Sequence, residues 1–413
     1  MTSRPRLVSL LSAAAAAIAV TAALAVPTPN AHAATPLSQN PSNPLAVPDA
    51  WHYSAITTAA NPELTDYLAA SNASTKAAMA KIAFAPRVRW FGNCASCNVA
   101  TTKEQVASYV ADQQRGDPNA LVQLAIFGLW PQGEVVNGKR PAISWTMTRY
   151  ENWIKQIAAG IGDARVAIIL EPDLAITANH KNGGSELNDP TPAKRQQYAA
   201  WAAKYLAQTL KHEAIYIDAG SADWLYVSEA VNELEHSGIR YARGFALGAT
   251  HYDSVSSNVS YAAQVAQGLA KDGYGSKHAV IDTSDNGTPF TWLQWNARYG
   301  AKFRATGNQY YQFDNTPTCG STTQQVCETL GHRPTWNPLG GEASKLGLGP
   351  SHPQLREEAA RYIDGYLWFG RGWRWMQMGG NDTQTKTRMV RMGTYTRFTE
   401  AAVPAVLPPQ LGG

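Results

Sequence analysis

Apolar residues recur along this chain in two rhythms. One is the short unbroken run, clearest at Val166–Leu170, which suits a strand buried on both faces. Such runs predict strands at residues 87–91, 121–127, 166–170, 214–218, 243–247, 278–282 and 363–369. The second rhythm is helical spacing. It predicts helices at 103–112, 146–161, 192–211, 222–235 and 259–271, in the gaps between most of the strands. About seven or eight strands alternating with helices over roughly 320 residues predict an α/β fold, a parallel (β/α) barrel. An open doubly wound sheet would carry a glycine-rich phosphate turn after its first strand, and none is present.

The strands end in chemistry. Val166–Leu170 runs into Glu171, Pro172 and Asp173, and the proline marks the end of the ladder. Asp173 therefore belongs at the C-terminal lip of a strand, either as a cap of the next helix or as part of a site. The pattern recurs in Tyr216-Ile217-Asp218, in Thr250-His251-Tyr252-Asp253 and in Val280-Ile281-Asp282. In a barrel these groups converge on one face. Carboxylates in an aromatic cleft are the equipment of glycoside hydrolysis. One protonates the leaving oxygen while a second activates water or attacks the sugar. A raised pKa for the acid, here Asp173, is expected from burial and from Glu171 and Asp218 nearby. The signatures G-x-S-x-G, H-E-x-x-H and the P-loop are absent from the sequence. One strand-end histidine, His251, reads as a hydrogen-bonding site residue rather than a metal ligand, and no metal or organic cofactor is implied.

Composition narrows the picture. The 413 residues are 44% hydrophobic and 16% charged, with 13 Trp and 18 Tyr, an aromatic excess that suits sugar rings. The net charge is +4, two of it from Arg4 and Arg6. Without a basic tract, a nucleic-acid partner is not expected. Residues 1–33 read as a secretory signal: a charged start, an Ala/Leu/Val-rich run and Ala31-His32-Ala33 before the cut. A membrane anchor is the alternative for that run. Residues 34–50 read as a tether, and 51–405 as one barrel domain with an aromatic-rich insertion at 288–353, a wall or lid. The product would be an extracellular monomer, off the membrane after cleavage. Four cysteines suit export, with Cys94–Cys97 and Cys319–Cys327 the simplest of three pairings. Cys94 and Cys97 also have redox or zinc-ligand spacing.

With these residues in order, the chain resembles glycoside hydrolase family 6. The resemblance rests on Leu170-Glu171-Pro172-Asp173, Tyr216-Ile217-Asp218-Ala219-Gly220 and Val280-Ile281-Asp282-Thr283-Ser284-Asp285-Asn286-Gly287. Asn43-Pro44-Leu45, Arg89-Trp90-Phe91-Gly92, Phe245-Ala246-Leu247, Trp336-Asn337-Pro338 and Asp364-Gly365-Tyr366-Leu367-Trp368 support it, over roughly residues 43–370. It implies a distorted barrel of about seven strands and inverting cleavage of a β-1,4-glucan. Asp173 then matches the general acid, and Asp218 and Asp282 match strand-end aspartates of the cleft. Trp224 and Trp336 match tryptophans that stack on glucose, and Trp130 and His251 join the expected sugar-binding set.

The chain also departs from the family's pattern. Phe127 replaces a tyrosine after the second strand, and Gly133, with Glu134 beside it, falls where the family has an aspartate. The family's P-G-E-x-D-G motif, source of the base, is replaced by Gly370-Arg371-Gly372-Trp373-Arg374-Trp375, and Gly379-Gly380-Asn381-Asp382 is the nearest similar stretch. His251 stands for an asparagine and Asp285 for an arginine. Glu134 or Asp382 is the expected second carboxylate. The alternative is an impaired protein that binds glycans without cleaving them.

Overall fold

The computed structural model describes residues 42–47, 51, 61–92, 101–129, 146–177, 191–377 and 382–399. Seven strands form one sheet: β1 (Arg89–Gly92), β2 (Val122–Phe127), β3 (Val166–Leu170), β4 (Glu213–Asp218), β5 (Gly244–Leu247), β6 (His278–Asp282) and β7 (Ile363–Leu367). Every neighbouring pair is parallel, and spatial order equals chain order. The described helices are α1 (Pro62–Ala69), α2 (Ala73–Ala83), α3 (Thr102–Gln114), α4 (Met147–Ile161), α5 (Leu174–Thr177), α6 (Pro192–Thr209), α7 (Val227–His236), α8 (Val255–Lys271), α9 (Trp292–Trp295), α10 (Ala301–Thr306), α11 (Pro353–Tyr362) and α12 (Asp382–Tyr395). The expected α/β barrel is thus a curled, open half-barrel.

The unbroken apolar runs have the expected cause. Leu124, Ile126, Ile168, Ile215, Ile217, Phe245 and Ile281 face the surrounding helices. Alternate residues Ala125, Ala167, Ile169, Tyr216, Ala246 and Val280 fill the barrel interior. At about 25 cal/mol per Å², covering both faces is the main stabilising contribution.

Among the described residues β1 and β7 are not paired as a ladder, so the sheet stops at a seam. There the Val88 amide donates to the Trp368 carbonyl at 2.9 Å, and Trp90 Nε1 donates to the Phe369 carbonyl at 2.7 Å. Thr335 and Tyr366 form an antiparallel bridge on the flank of β7. Toward the start of the strands, Arg243 grips Asp364 with Nε at 2.8 Å and Nη2 at 2.9 Å, and the Tyr216 hydroxyl donates to Asp364 Oδ2 at 2.8 Å.

The insertion after β6 packs on the barrel through Tyr252, Phe290, Trp295 and Tyr299, with Phe303, Tyr311 and Phe313 alongside. The Cys319–Cys327 disulfide closes one of its turns. Cys94 and Cys97 lie outside the described residues. Among the described residues no helix is long and apolar enough to cross a membrane.

Candidate active site

β3 delivers Asp173 to the C-terminal rim through a turn that few residues tolerate. Glu171 and Asp173 both have positive φ, 53° and 66°, and so does Thr250 after β5, at 56°. Left-handed backbone in a β-branched threonine costs about 1–3 kcal/mol. Such strain collects where surrounding contacts force a side chain into place. Here the Thr250 hydroxyl donates to Asp173 Oδ1 at 3.0 Å, so two strained turns meet at one carboxyl.

Asp173 is buried, and that burial pushes its pKa well above the ordinary aspartate range. The charges of Asp218 and Asp314 push the same way, while Thr250 and His251 oppose them. Asp218, at the end of β4, accepts from the Ala175 amide at 3.2 Å and so fixes the turn that carries Asp173. Burial raises Asp218 itself to about 7 against hydrogen bonds from the backbone. A carboxyl whose pKa is raised holds its proton to higher pH, as a proton donor needs, and both members of this pair are shifted in that direction.

Glu171 works elsewhere. Its Oε2 accepts from the Gly128 and Leu129 amides, each at 2.8 Å, and its Oε1 from the Tyr150 hydroxyl at 2.6 Å. It clamps the end of β2 rather than sharing the cleft with Asp173, which corrects the sequence expectation. The physical reason is the positive φ at Glu171, which turns its side chain toward the backbone amides after β2. Asp218 acts on Asp173 as expected, and Asp314 does so where Glu171 was expected.

His251 follows Thr250 in the turn after β5. Its Nδ1 is 2.9 Å from Asp223 Oδ1, and Asp223 Oδ2 accepts from the Trp292 amide at 2.8 Å. Burial works against a charged ring, but the Asp223 hydrogen bond and charge outweigh it, so His251 titrates above its ordinary value. The ring stacks on Trp224 at 4.7 Å with an interplanar angle of 9°, and meets Phe313 edge-on at 5.1 Å. One face of Trp224 is therefore covered by histidine.

The remaining expected residues fall in different places. Asp282 is buried and accepts from the Ser284 amide at 2.8 Å, the Ser284 hydroxyl at 3.1 Å and the Gly370 amide, so it ties the exit of β6 to that of β7. Trp336 packs against the barrel interior, and its carbonyl accepts from Asn43. Its neighbour Thr335 is held to β7 by an antiparallel bridge to Tyr366. Trp130 and Glu134 lie outside the described residues, as does the side chain of Asp382. Sequence reasoning missed Thr250, Asp223 and Asp314 as partners of Asp173 and His251. Asp314 is half-buried, sits in a short turn next to Phe313, and accepts no hydrogen bond from a described residue. No sequence motif marks it; only the packing of Phe313 on His251 reveals its place. Among the described residues no cluster of acids, histidines and cysteines is arranged to hold a metal ion.

These shifts carry a stability prediction. Burial raises Glu171, Asp218 and Asp282 to about 7, against roughly 4 in an unfolded chain. Between those values the folded chain holds protons that unfolding releases, so stability falls as pH rises through the window. The raised His251 acts in the same sense, since its extra proton is lost as pH rises. The melting temperature is expected to be higher at pH 5 than at pH 7.5, by calorimetry. A higher value at pH 7.5 would contradict the protonated cluster.

Comparison with known proteins gives the family and the fold. The model of the family described as "Glycosyl hydrolases family 6" matches residues 48–311. The chain belongs to that family. Among curated relatives, endoglucanase A of Cellulomonas fimi is 34% identical over 219 residues, 53% of this chain and 43% of that protein. Endoglucanase A of Thermobispora bispora is 31% identical over 230 residues, 55% of this chain and 46% of that protein. The matched regions thus span less than half the length of these two family members. Among solved family 6 structures, the endoglucanase Cel6 of Mycobacterium tuberculosis, in complex with methyl-cellobiosyl-4-deoxy-4-thio-β-D-cellobioside, superposes with a TM-score of 0.57 at 22% identity. That match covers 86% of this chain and 99% of the other. Cellobiohydrolase II of Humicola insolens, in complex with glucose and cellotetraose, gives a TM-score of 0.54 at 17% identity, covering 88% and 94%. At these identities the likeness is one of fold, and it is the same curled seven-stranded sheet.

Proposed function

We propose that this family 6 protein is an exported glycoside hydrolase that cleaves a β-linked, cellulose-like glucan with inversion. The observation that carries the reading is Asp173, a buried carboxyl on a strained strand-end turn, its pKa raised by burial and by Asp218. Asp173 protonates the glycosidic oxygen. Asp218 orients the turn and, by its proximity, keeps the proton on the acid. His251, locked by Asp223 and Trp224, borders the cleft and offers a hydrogen-bonding ring to the sugar. Membership of the family and its endoglucanase relatives support a glucan as the substrate class.

Inversion needs a second carboxylate roughly 6.5–9.5 Å from the acid, with room for water between them. Asp314 is the best described candidate, since its neighbour Phe313 packs on His251, its charge acts on Asp173, and it has no described hydrogen-bond donor. Glu134 and Asp382 remain proposed alternatives. A second reading, a glycan binder with impaired chemistry, is favoured by one observation: Arg371 and Arg374 occupy the segment where the family carries an acidic motif.

One assay separates the readings. Wild type is incubated with soluble and insoluble glycans, and the anomer of each new reducing end is read by NMR. The expected result is release of α-anomer from a β-1,4-glucan, and a fall of roughly 10²-fold or more in Asp314→Asn. Binding without any product from wild type would favour the impaired binder. Full activity in Asp314→Asn would move the base to Glu134 or Asp382.

A further inference from the structure

The seam between β1 and β7 holds a cavity of about 160 Å³ whose lining is cationic. Arg87 and Arg89 reach it from the start of β1, and Arg371 and Arg374 from the segment after β7. Trp90 supplies an apolar wall, and Glu63 is the acid among its lining residues. Four guanidinium groups thus share a small space with one carboxylate.

Glu63 is already committed. Its Oε2 is 3.0 Å from Arg87 Nη1, and its Oε1 takes Arg374 Nη2 at 2.6 Å and the Trp373 indole at 2.9 Å. Arg371 stands apart from that network. Its guanidinium lies 3.8 Å from the centroid of the Trp90 ring. Its side chain donates no hydrogen bond to a described residue, and its Nε is buried without a partner among them. Burial lowers its pKa to about 9, and Arg374 and Arg89 act in the same direction, while Asp173 and Glu63 oppose them. A cation held this way is costly, and an incoming anion relieves the cost.

The platform is also rigid. Trp90 is fixed by its bond to the Phe369 carbonyl and by the edge of Phe127 at 4.9 Å. A guanidinium spread on a locked indole loses little freedom on binding, and its planar fork fits two oxygens of one anion. Arg371 follows Gly370, whose amide donates to Asp282 at the end of β6, so the cavity lies at the C-terminal rim of the sheet, where the strand-end carboxyls gather.

We propose that this cavity binds an oxyanion carried by the glycan, a carboxylate, sulfate or phosphate substituent, with Arg371 as the bidentate grip. The preferred chain is then an acidic β-glucan rather than neutral cellulose. The inference deepens the glycan reading above and rests on it.

The test is calorimetric binding to the full chain carrying Asp173→Asn, which prevents turnover. The probes are cellohexaose, the same oligomer oxidised to carboxylates at C6, and sodium sulfate. The oxidised oligomer is expected to bind at least tenfold tighter than cellohexaose at low salt, with the advantage shrinking as salt rises. Adding Arg371→Gln removes the advantage; adding Arg371→Lys, which keeps the charge but loses the fork, retains part of it. Melting curves of both variants report whether they fold, and if neither does, the ligand and salt comparison on the parent protein decides. Equal affinity for charged and neutral oligomers, or an advantage that survives Arg371→Gln, overturns the proposal. Sulfate binding lost in Arg371→Gln without any preference between oligomers makes this a free-anion site and overturns the glycan part. If cellohexaose neither binds nor is cleaved by wild type while the oxidised oligomer binds, the cellulose-like reading fails and this one stands.

Discussion

Asp173→Asn hydrolyses a soluble β-glucan roughly 10²–10⁴-fold more slowly than wild type, with KM little changed. The amide keeps the shape of the carboxyl and removes the proton that the leaving oxygen needs. It also puts no charge beside Asp218, so the variant should be at least as stable as wild type. That combination distinguishes a proton donor from a structural acid, whose loss would lower activity and melting temperature together. The pH profile supplies a second signature. Burial and the charges of Asp218 and Asp314 raise Asp173, so wild-type activity should persist well above the ordinary aspartate pKa and fall on the alkaline side as the proton is lost. Wild-type rates in Asp173→Asn would remove the proposed acid.

Arg388→Met should unfold about 3–5 kcal/mol more easily. Arg388 Nη2 is 2.6 Å from Glu328 Oε2, and both side chains are buried. Its Nε donates to the Gly372 carbonyl at 2.6 Å and its Nη1 to the Thr316 carbonyl at 3.1 Å. One side chain of α12 thus holds the insertion and the segment after β7 together. Removing it strands Glu328 beside Asp285, another buried acid. The variant is expected to melt roughly 6–10 °C lower, and urea unfolding measures the free energy. Replacing both partners, with Glu328→Gln added, should recover part of the loss, because the stranded charge rather than the missing contact dominates the cost. A loss below about 1 kcal/mol would place this pair among ordinary surface ion pairs.

The sheet was largely legible in the chain because each strand is buried on both sides. Val166–Leu170 and His278–Asp282 fall where their apolar runs place them, and Pro172 marks the end of the first. Helix edges were less so. α8 begins at Val255 rather than 259, because Ser254 caps it by accepting from the Ser257 amide, and that polar start reads as loop. α7 begins at Val227 rather than 222, because Ala222 and Asp223 are held by Asn258 and His251 in a turn. α12 left no periodic signal: Met389 and Met392 are its buried apolar side chains, and Arg388 anchors it through polar contacts. In the site, Asp173 and Asp218 were legible because strand ends converge. The diversion of Glu171 was not, since it depends on a positive φ and on the Gly128 and Leu129 amides, some forty residues away just after β2. Asp314 was not either, because a tertiary contact rather than a local pattern brings it to the cleft.

Because spatial order repeats chain order, each strand can dock on the one made just before it, which suits growth from the N-terminus. The seam is the exception. Val88 waits for Trp368, and α2 waits for α12, so the two ends of the sheet meet only when nearly the whole chain is present. The carboxyls of the early strands are therefore in place before the wall that Arg371 and Arg374 complete. A ribosome-bound chain stopped before Arg371 would carry Asp173 and Asp218 on a sheet whose last side is still unbuilt.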